Sequence, residues 1–117
     1  YISVPIQSGS NKILERMMRP YTREQILDIF LKIKEVMPNL LIKTHIIVGF
    51  PGENDIDFEN TLEMLRRINF KMIHVFPFSA RPNTKAYDFQ DQISRTVIKT
   101  RMCRLKKEFP SSVRLMN

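Results

Sequence analysis

This sequence holds a single cysteine, Cys103, among 117 residues. One thiol excludes an internal disulfide, and alone it builds neither a zinc site nor an iron–sulfur centre. It suits a reducing compartment such as the cytoplasm, and Cys103 reads as a small, partly buried helix residue rather than a nucleophile. No apolar run reaches the length of a bilayer span, so no membrane partner is expected. The opening YISVPIQ has no initiator Met, basic leader or apolar signal core; a start inside an apparent strand predicts a fragment of a longer chain. Acids are scarce beside bases, 12 against 19, for a net charge of +7. That balance suits a polyanionic partner through counterion release, and a merely solvated basic surface explains it as well. At 43% hydrophobic and 26% charged, the chain has the composition of one globular domain.

Ile2, Val4 and Ile6 alternate with Tyr1, Ser3 and Pro5, the pattern of a short strand. Pro5 lacks an amide hydrogen and keeps it short or irregular. Ser10 is placed to cap a helix through NKILERMMR, with Ile13, Leu14, Met17 and Met18 inward and Pro20 ending it. TREQ is a capping box, Thr22 with Gln25, opening a helix to about Met37. LLIKTHIIV reads as a buried parallel strand. Asn54 caps the next helix, with Phe58, Leu62 and Leu65 inward, Asp55, Asp57 and Glu59 at its start and Arg66 and Arg67 at its end, as the helix dipole prefers. KMIHVFPFS is a third strand, ARPNTKAYDFQDQ a loop, and Ser94 caps a basic last helix, RTVIKTRMCRLKKEF.

Strands alternating with helices through short connections imply an α/β fold, about three parallel strands joined by right-handed crossovers. Sites in such folds gather at the carboxyl ends of the strands. Here those ends are QSGS, GFPGE and FPFSARP. Gln7 offers donor and acceptor, and Ser8 and Gly9 offer amides to an anion; a capped turn explains them equally. Gly49 and Gly52 permit positive φ or close backbone approach, so the loop either seats a flat ring or simply turns a strand into a helix. Glu53 falls where an acid before a helix is expected anyway. Thr44 and His45 alternate sides of their strand; His45 and His74 read as hydrogen-bonded structural histidines, with a base role for His45 the alternative. Phe76 and Phe78 share a face by spacing, and Arg81 is a candidate anion clamp; an aromatic core with an exposed Arg is the alternative. In the last helix Arg95, Lys99, Arg101, Arg104, Lys106 and Lys107 spread over more than one face, either a phosphate-binding surface or a solvated exterior.

Taken together, VPIQSGSNKILERMMRPYT, THIIVGFPGENDIDFENTLEML and HVFPFSARPNTKA resemble the radical S-adenosylmethionine methylthiotransferases, in order and over nearly the whole chain. HVFPFSxRPxTxA looks closest to the subgroup acting on threonylcarbamoyladenosine in tRNA. The resemblance implies the C-terminal half of a partial TIM-type (β/α) barrel, with residues 1–117 a part of the radical domain of a larger protein. It implies S-adenosylmethionine and 4Fe-4S clusters as cofactors, tRNA as partner, and cluster ligands outside this chain, so that the fragment alone is expected to be inactive. By position, Gln7, Ser8, Thr44, Gly49, Phe50, Gly52, Phe78 and Arg81 would line the S-adenosylmethionine pocket. Ser3 stands where the family often has His, His45 where it usually has Asp, and Asn83 where Gly is common. The resemblance implies a reaction in which reduced S-adenosylmethionine yields a radical that abstracts a substrate hydrogen, with sulfur delivered by a second cluster. Two alternatives remain open: another radical enzyme, such as a ribosomal-protein methylthiotransferase, and a stand-alone basic nucleic-acid-binding module. Half a barrel leaves edges and an apolar face uncovered, which predicts self-association.

Overall fold

The structure is a computed structural model and describes residues 2–79 and 88–116. Its elements run β1 (Ile2–Ser3), α1 (Asn11–Arg16), α2 (Arg23–Val36), β2 (Ile42–Val48), α3 (Asp55–Ile68), β3 (Met72–Pro77), α4 (Arg95–Glu108) and β4 (Val113–Leu115). The strands form one parallel sheet in the order β1-β2-β3-β4. Strand order that follows chain order, with a helix in each crossover, stacks the helices on one face, which is the winding of a (β/α) barrel rather than of a doubly wound sheet. The chain is thus a partial barrel of four parallel strands.

Burial records the same asymmetry. Along β2 the residues alternate between buried and half-exposed. Ile42, Ile46 and Val48 join Ile73, Val75 and Val113 in a core shared with Ile26, Phe30, Phe58, Leu62, Leu65, Ile98 and Leu105 from the helices. Lys43, His45 and Ile47 lie on the other face and are half-exposed. β2 is therefore buried on one face only, not on both as its apolar run implied. Among the described residues no helix covers the second face, and β2 keeps the period-two burial of a one-sided sheet.

The caps form as their side chains dictate. Thr22 and Gln25 make the reciprocal capping box of α2, and Asn54 and Asp57 make that of α3. Ser94 Oγ accepts from Val97 N at 3.3 Å. Ser10 departs from this pattern. It occupies the N-cap position of α1 but makes no side-chain cap; its hydroxyl donates to Asp57 Oδ1 at 2.7 Å. A buried carboxylate is the stronger acceptor and holds the hydroxyl. α1 stops at Arg16, before Pro20, and Met18 stands at φ +60 with 70% of its surface exposed, so it is no part of the inward stripe. Cys103 is exposed rather than partly buried.

The fourth strand, β4, was not expected. Three residues after FPSS carry too little pattern to read; they pair because Ile73 N finds Ser112 O at 2.9 Å and Met116 N finds Val75 O at 2.8 Å.

Candidate functional site on the open sheet face

The helix-free face is organised by register. His45 and His74 are paired residues of β2 and β3, and Arg114 is the partner of His74 on β4. Lys43 pairs with Met72, and Ile47 with Phe76, one step to either side. The imidazoles of His45 and His74 lie 5.2 Å apart between centroids, and the Phe76 ring meets His45 edge-on at 5.6 Å. These contacts replace the hydrogen bonds expected of structural histidines. Burial, then the charges of His45, Lys43 and Arg114, lower the pKa of His74 below its ordinary value of 6.5. The strand residues of this face carry cations, imidazoles, apolar side chains and the Ser3 hydroxyl, and none is a carboxylate.

Gln7 marks where β1 leaves the sheet. Its N–H donates to His45 O and its carbonyl accepts from Ile47 N, both at 2.9 Å. That pinning holds it at φ +72, a left-handed conformation uncommon for a residue with a Cβ, and leaves its side chain half-exposed. Such strain is kept only where surrounding contacts over-determine it, and it concentrates at functional positions.

The rest of QSGS is a knot tying β1 to α3. Ser8 is fully buried; its hydroxyl accepts from Ser10 N and lies 3.5 Å from that of Thr61. Gly9 N donates to Thr61 Oγ1 at 2.9 Å. Asp57 takes the Ser10 hydroxyl, Asn54 N and, at 2.8 Å, Lys12 Nζ. Burial alone would raise the Asp57 pKa, but these partners outweigh it and hold the carboxyl below its usual range. Ser8 thus spends its side chain inside the fold rather than on a ligand. So does Thr44, which is fully buried on the helix side, donates to Val4 O at 2.8 Å and accepts from Ile6 N at 3.2 Å. It braces the irregular end of β1, past the amide that Pro5 lacks, and points away from the open face.

GFPGE is a type II turn. Phe50 O accepts from Glu53 N at 2.9 Å, Pro51 holds the second position and Gly52 the third at φ +89. Both glycines are needed for their backbone conformation and for the space at their Cα. A Cβ at Gly49 (φ +84) would overlap Ile98 of α4, and one at Gly52 would overlap the Arg16 guanidinium. The Phe50 ring is buried between Phe78 at 5.1 Å and Phe89 at 6.2 Å. Phe78 stays half-exposed and its N–H donates to Val48 O at 2.8 Å, which sets the β3 exit beside the turn. Arg16 donates to Pro51 O and to Asp91 Oδ2, each at 2.7 Å, with its guanidinium 4.7 Å from the Phe89 ring centre.

Glu53 is more than an acid before a helix. It is 2% exposed and its Oε1 accepts from Gly49 N and from Arg101 Nη1, both at 2.9 Å. Burial pushes its pKa up, against the pull of the Gly49 amide and Arg101. Arg101 leaves the basic surface of α4 to make this pair. Arg104 pairs with Glu59, and Lys106 donates to Val113 O and Pro110 O at 3.0 and 2.9 Å. Half of the six cations of that helix are thus engaged within the fold. Arg81 lies outside the described residues.

The residues present fit one of the two implied groups. Half-exposed Phe76 and Phe78, the amide of Gln7 and the cations of the face suit a ligand with a flat base and a carboxylate, as S-adenosylmethionine has. They do not fit an iron–sulfur cluster, since a single thiol is one ligand of the several that such a centre needs. Among the described residues no group of three or more His, Cys, Asp and Glu side chains is placed to hold a metal.

The model of the Radical SAM superfamily matches residues 1–65. The chain is 48% identical over 105 residues to the tRNA-2-methylthio-N(6)-dimethylallyladenosine synthase of Bdellovibrio bacteriovorus, covering 90% of this chain and 23% of that protein. The proteins of the same name from Campylobacter curvus and Pelotomaculum thermopropionicum are 45% and 42% identical, over 88% and 92% of this chain and 24% of each relative. The chain spans 23–24% of the length of these curated relatives.

Proposed function

The chain belongs to the Radical SAM superfamily, and from that premise we propose that it is the cofactor-holding part of a cytoplasmic tRNA methylthiotransferase, one that adds a methylthio group to a modified adenosine. The carrying observation is the open sheet face, where His45 and His74 meet in register and Phe76 meets His45 edge-on, with the strand exits at Gln7 and Phe78 at its rim, while the helices cover the other side. When bound, S-adenosylmethionine would supply the chemistry that removes hydrogen from the substrate carbon. This chain's own residues bind and orient. Phe76 and Phe78 offer ring faces to the base, the Gln7 amide offers a donor and an acceptor to the ribose, and Lys43 and Arg114 attract the carboxylate. Fixing reactants in register is the main contribution a protein makes to chemistry carried by a cofactor. The exposed thiol of Cys103 suits the reducing cytoplasm.

The modified adenosine is argued from two sides. The HVFPFSxRPxTxA stretch favours threonylcarbamoyladenosine, whereas the names of the relatives favour dimethylallyladenosine. Full-length protein with reconstituted clusters, S-adenosylmethionine and a reductant is given tRNA bearing each nucleoside, and the digested product is read by mass spectrometry. Replacement of a hydrogen by a methylthio group on either nucleoside supports the reading and selects the substrate. No S-adenosylmethionine cleavage and no product on either tRNA contradicts it.

A further inference from the structure

The GFPGE turn is held from outside itself, and its holder lies beyond the matched residues 1–65. Arg101 of α4, 7% exposed, donates from one nitrogen to both Glu53 O and Glu53 Oε1 at 2.9 Å. Its second terminal nitrogen reaches Asp55 Oδ1 at 3.2 Å, and its guanidinium lies 5.5 Å from the Phe58 ring centre. The Glu53 carboxylate passes this restraint on to Gly49 N. Both ends of the turn are thereby fixed, the amide at the first glycine and the carbonyl at Glu53. Ile98, one helical turn before Arg101, fills the space behind Gly49. α4 thus clamps the turn with an ion pair and an apolar side chain from one face.

A buried ion pair gains little net stability, because desolvation of both partners offsets their attraction. An apolar pair would hold α4 as firmly. What the pair adds is direction: a planar fork with set angles on a carbonyl and a carboxylate. We propose that Arg101 and Glu53 are positioning residues for S-adenosylmethionine, acting through the Gly49–Gly52 turn to fix the rim of the open face where Gln7 and Phe78 stand. This rests on the function proposed above.

The test uses full-length protein with reconstituted clusters. Arg101→Gln removes the fork, Glu53→Gln keeps the shape and the Gly49 acceptor but removes the charge, and Arg101→Lys restores charge without the fork. Arg104→Gln on the same helix, whose partner is Glu59, serves as control. Amide exchange at Gly49 and S-adenosylmethionine affinity by equilibrium dialysis are measured beside thermal unfolding. Arg101→Gln is expected to speed Gly49 exchange and weaken binding about tenfold, the scale of one lost charge-assisted hydrogen bond. Arg101→Lys is expected to recover unfolding temperature more than affinity, and Arg104→Gln to change neither readout. Folded Arg101→Gln, or Glu53→Gln should the former not fold, with wild-type affinity and wild-type Gly49 exchange overturns the proposal. Wild-type protein that binds no S-adenosylmethionine overturns the function it rests on, and Gly49 exchange then still reads whether the clamp exists.

Discussion

At the residue scale, the open face is governed by two imidazoles placed against each other by register. Neither His45 nor His74 signals this in sequence, since the two are 29 positions apart and only the pairing of β2 with β3 brings them together. His74 titrates below its ordinary value through burial and the cations around it. The folded value therefore lies below the unfolded one. Above about 6.5 His74 is neutral in both states and costs nothing. As pH falls below that value the unfolded chain binds a proton that the native state resists, and stability declines until the folded value is passed. Asp57 adds to acid sensitivity, since stability from its lowered pKa is present above the ordinary carboxylate value and lost as pH falls through the folded one. Glu53 runs the other way: its pKa is raised, so its contribution is fullest in acid and declines as pH rises through the folded value. Replacing His45 with Asn removes one neighbouring cation, and an NMR titration is expected to show the His74 midpoint moving upward. An unmoved midpoint would mean that the two rings do not share a field.

At the element scale, what was legible was local. The capping boxes of α2 and α3 were readable because cap and partner sit three residues apart and satisfy each other without tertiary help. Ser10 was misread for the complementary reason: Asp57, which takes its hydroxyl, lies 47 residues away. Ser8 and Thr44 looked like ligand contacts by family position, yet each is committed to a long-range backbone or hydroxyl partner that no window of sequence displays. Gly49 and Gly52 read as permitting positive φ or close approach, and both take positive φ, while the side chains crowding them, Ile98 and Arg16, come from other elements. Gly49→Ala is thus expected to destabilise doubly, by about 1–3 kcal/mol for the backbone and further by collision with Ile98. Against an Ile98→Ala background, which already loses core packing, Gly49→Ala is expected to cost only the backbone part. Chemical denaturation of both single variants and the double variant separates the parts, and no cost of Gly49→Ala in that background would show that the φ value carries none.

At the scale of the whole molecule, alternation of strands and helices was enough to set a parallel sheet, and the strand order fixes which face the helices take. Among the described residues the sheet ends at the outer edges of β1 and β4, and beside β1 an apolar cleft of about 550 Å³ is lined by Val4, Pro5, Ile6, Tyr21, Ile29 and Phe30. Edges and apolar surface of this kind favour pairing between copies. The 117-residue chain alone is expected to scatter light as a dimer or larger, and a stable monomer across concentrations would count against it. Where the cofactor lies is the more consequential question. The most direct measurement is photo-crosslinking of S-adenosylmethionine to the full-length protein, followed by peptide mapping. Label at Gln7, His45, Ile47 and Phe76 is expected, with none on the helix side at Leu62 or Leu105. Label confined to the helices, or absent from all of these strands, would contradict the assignment of the open face as the place where this chain holds its cofactor.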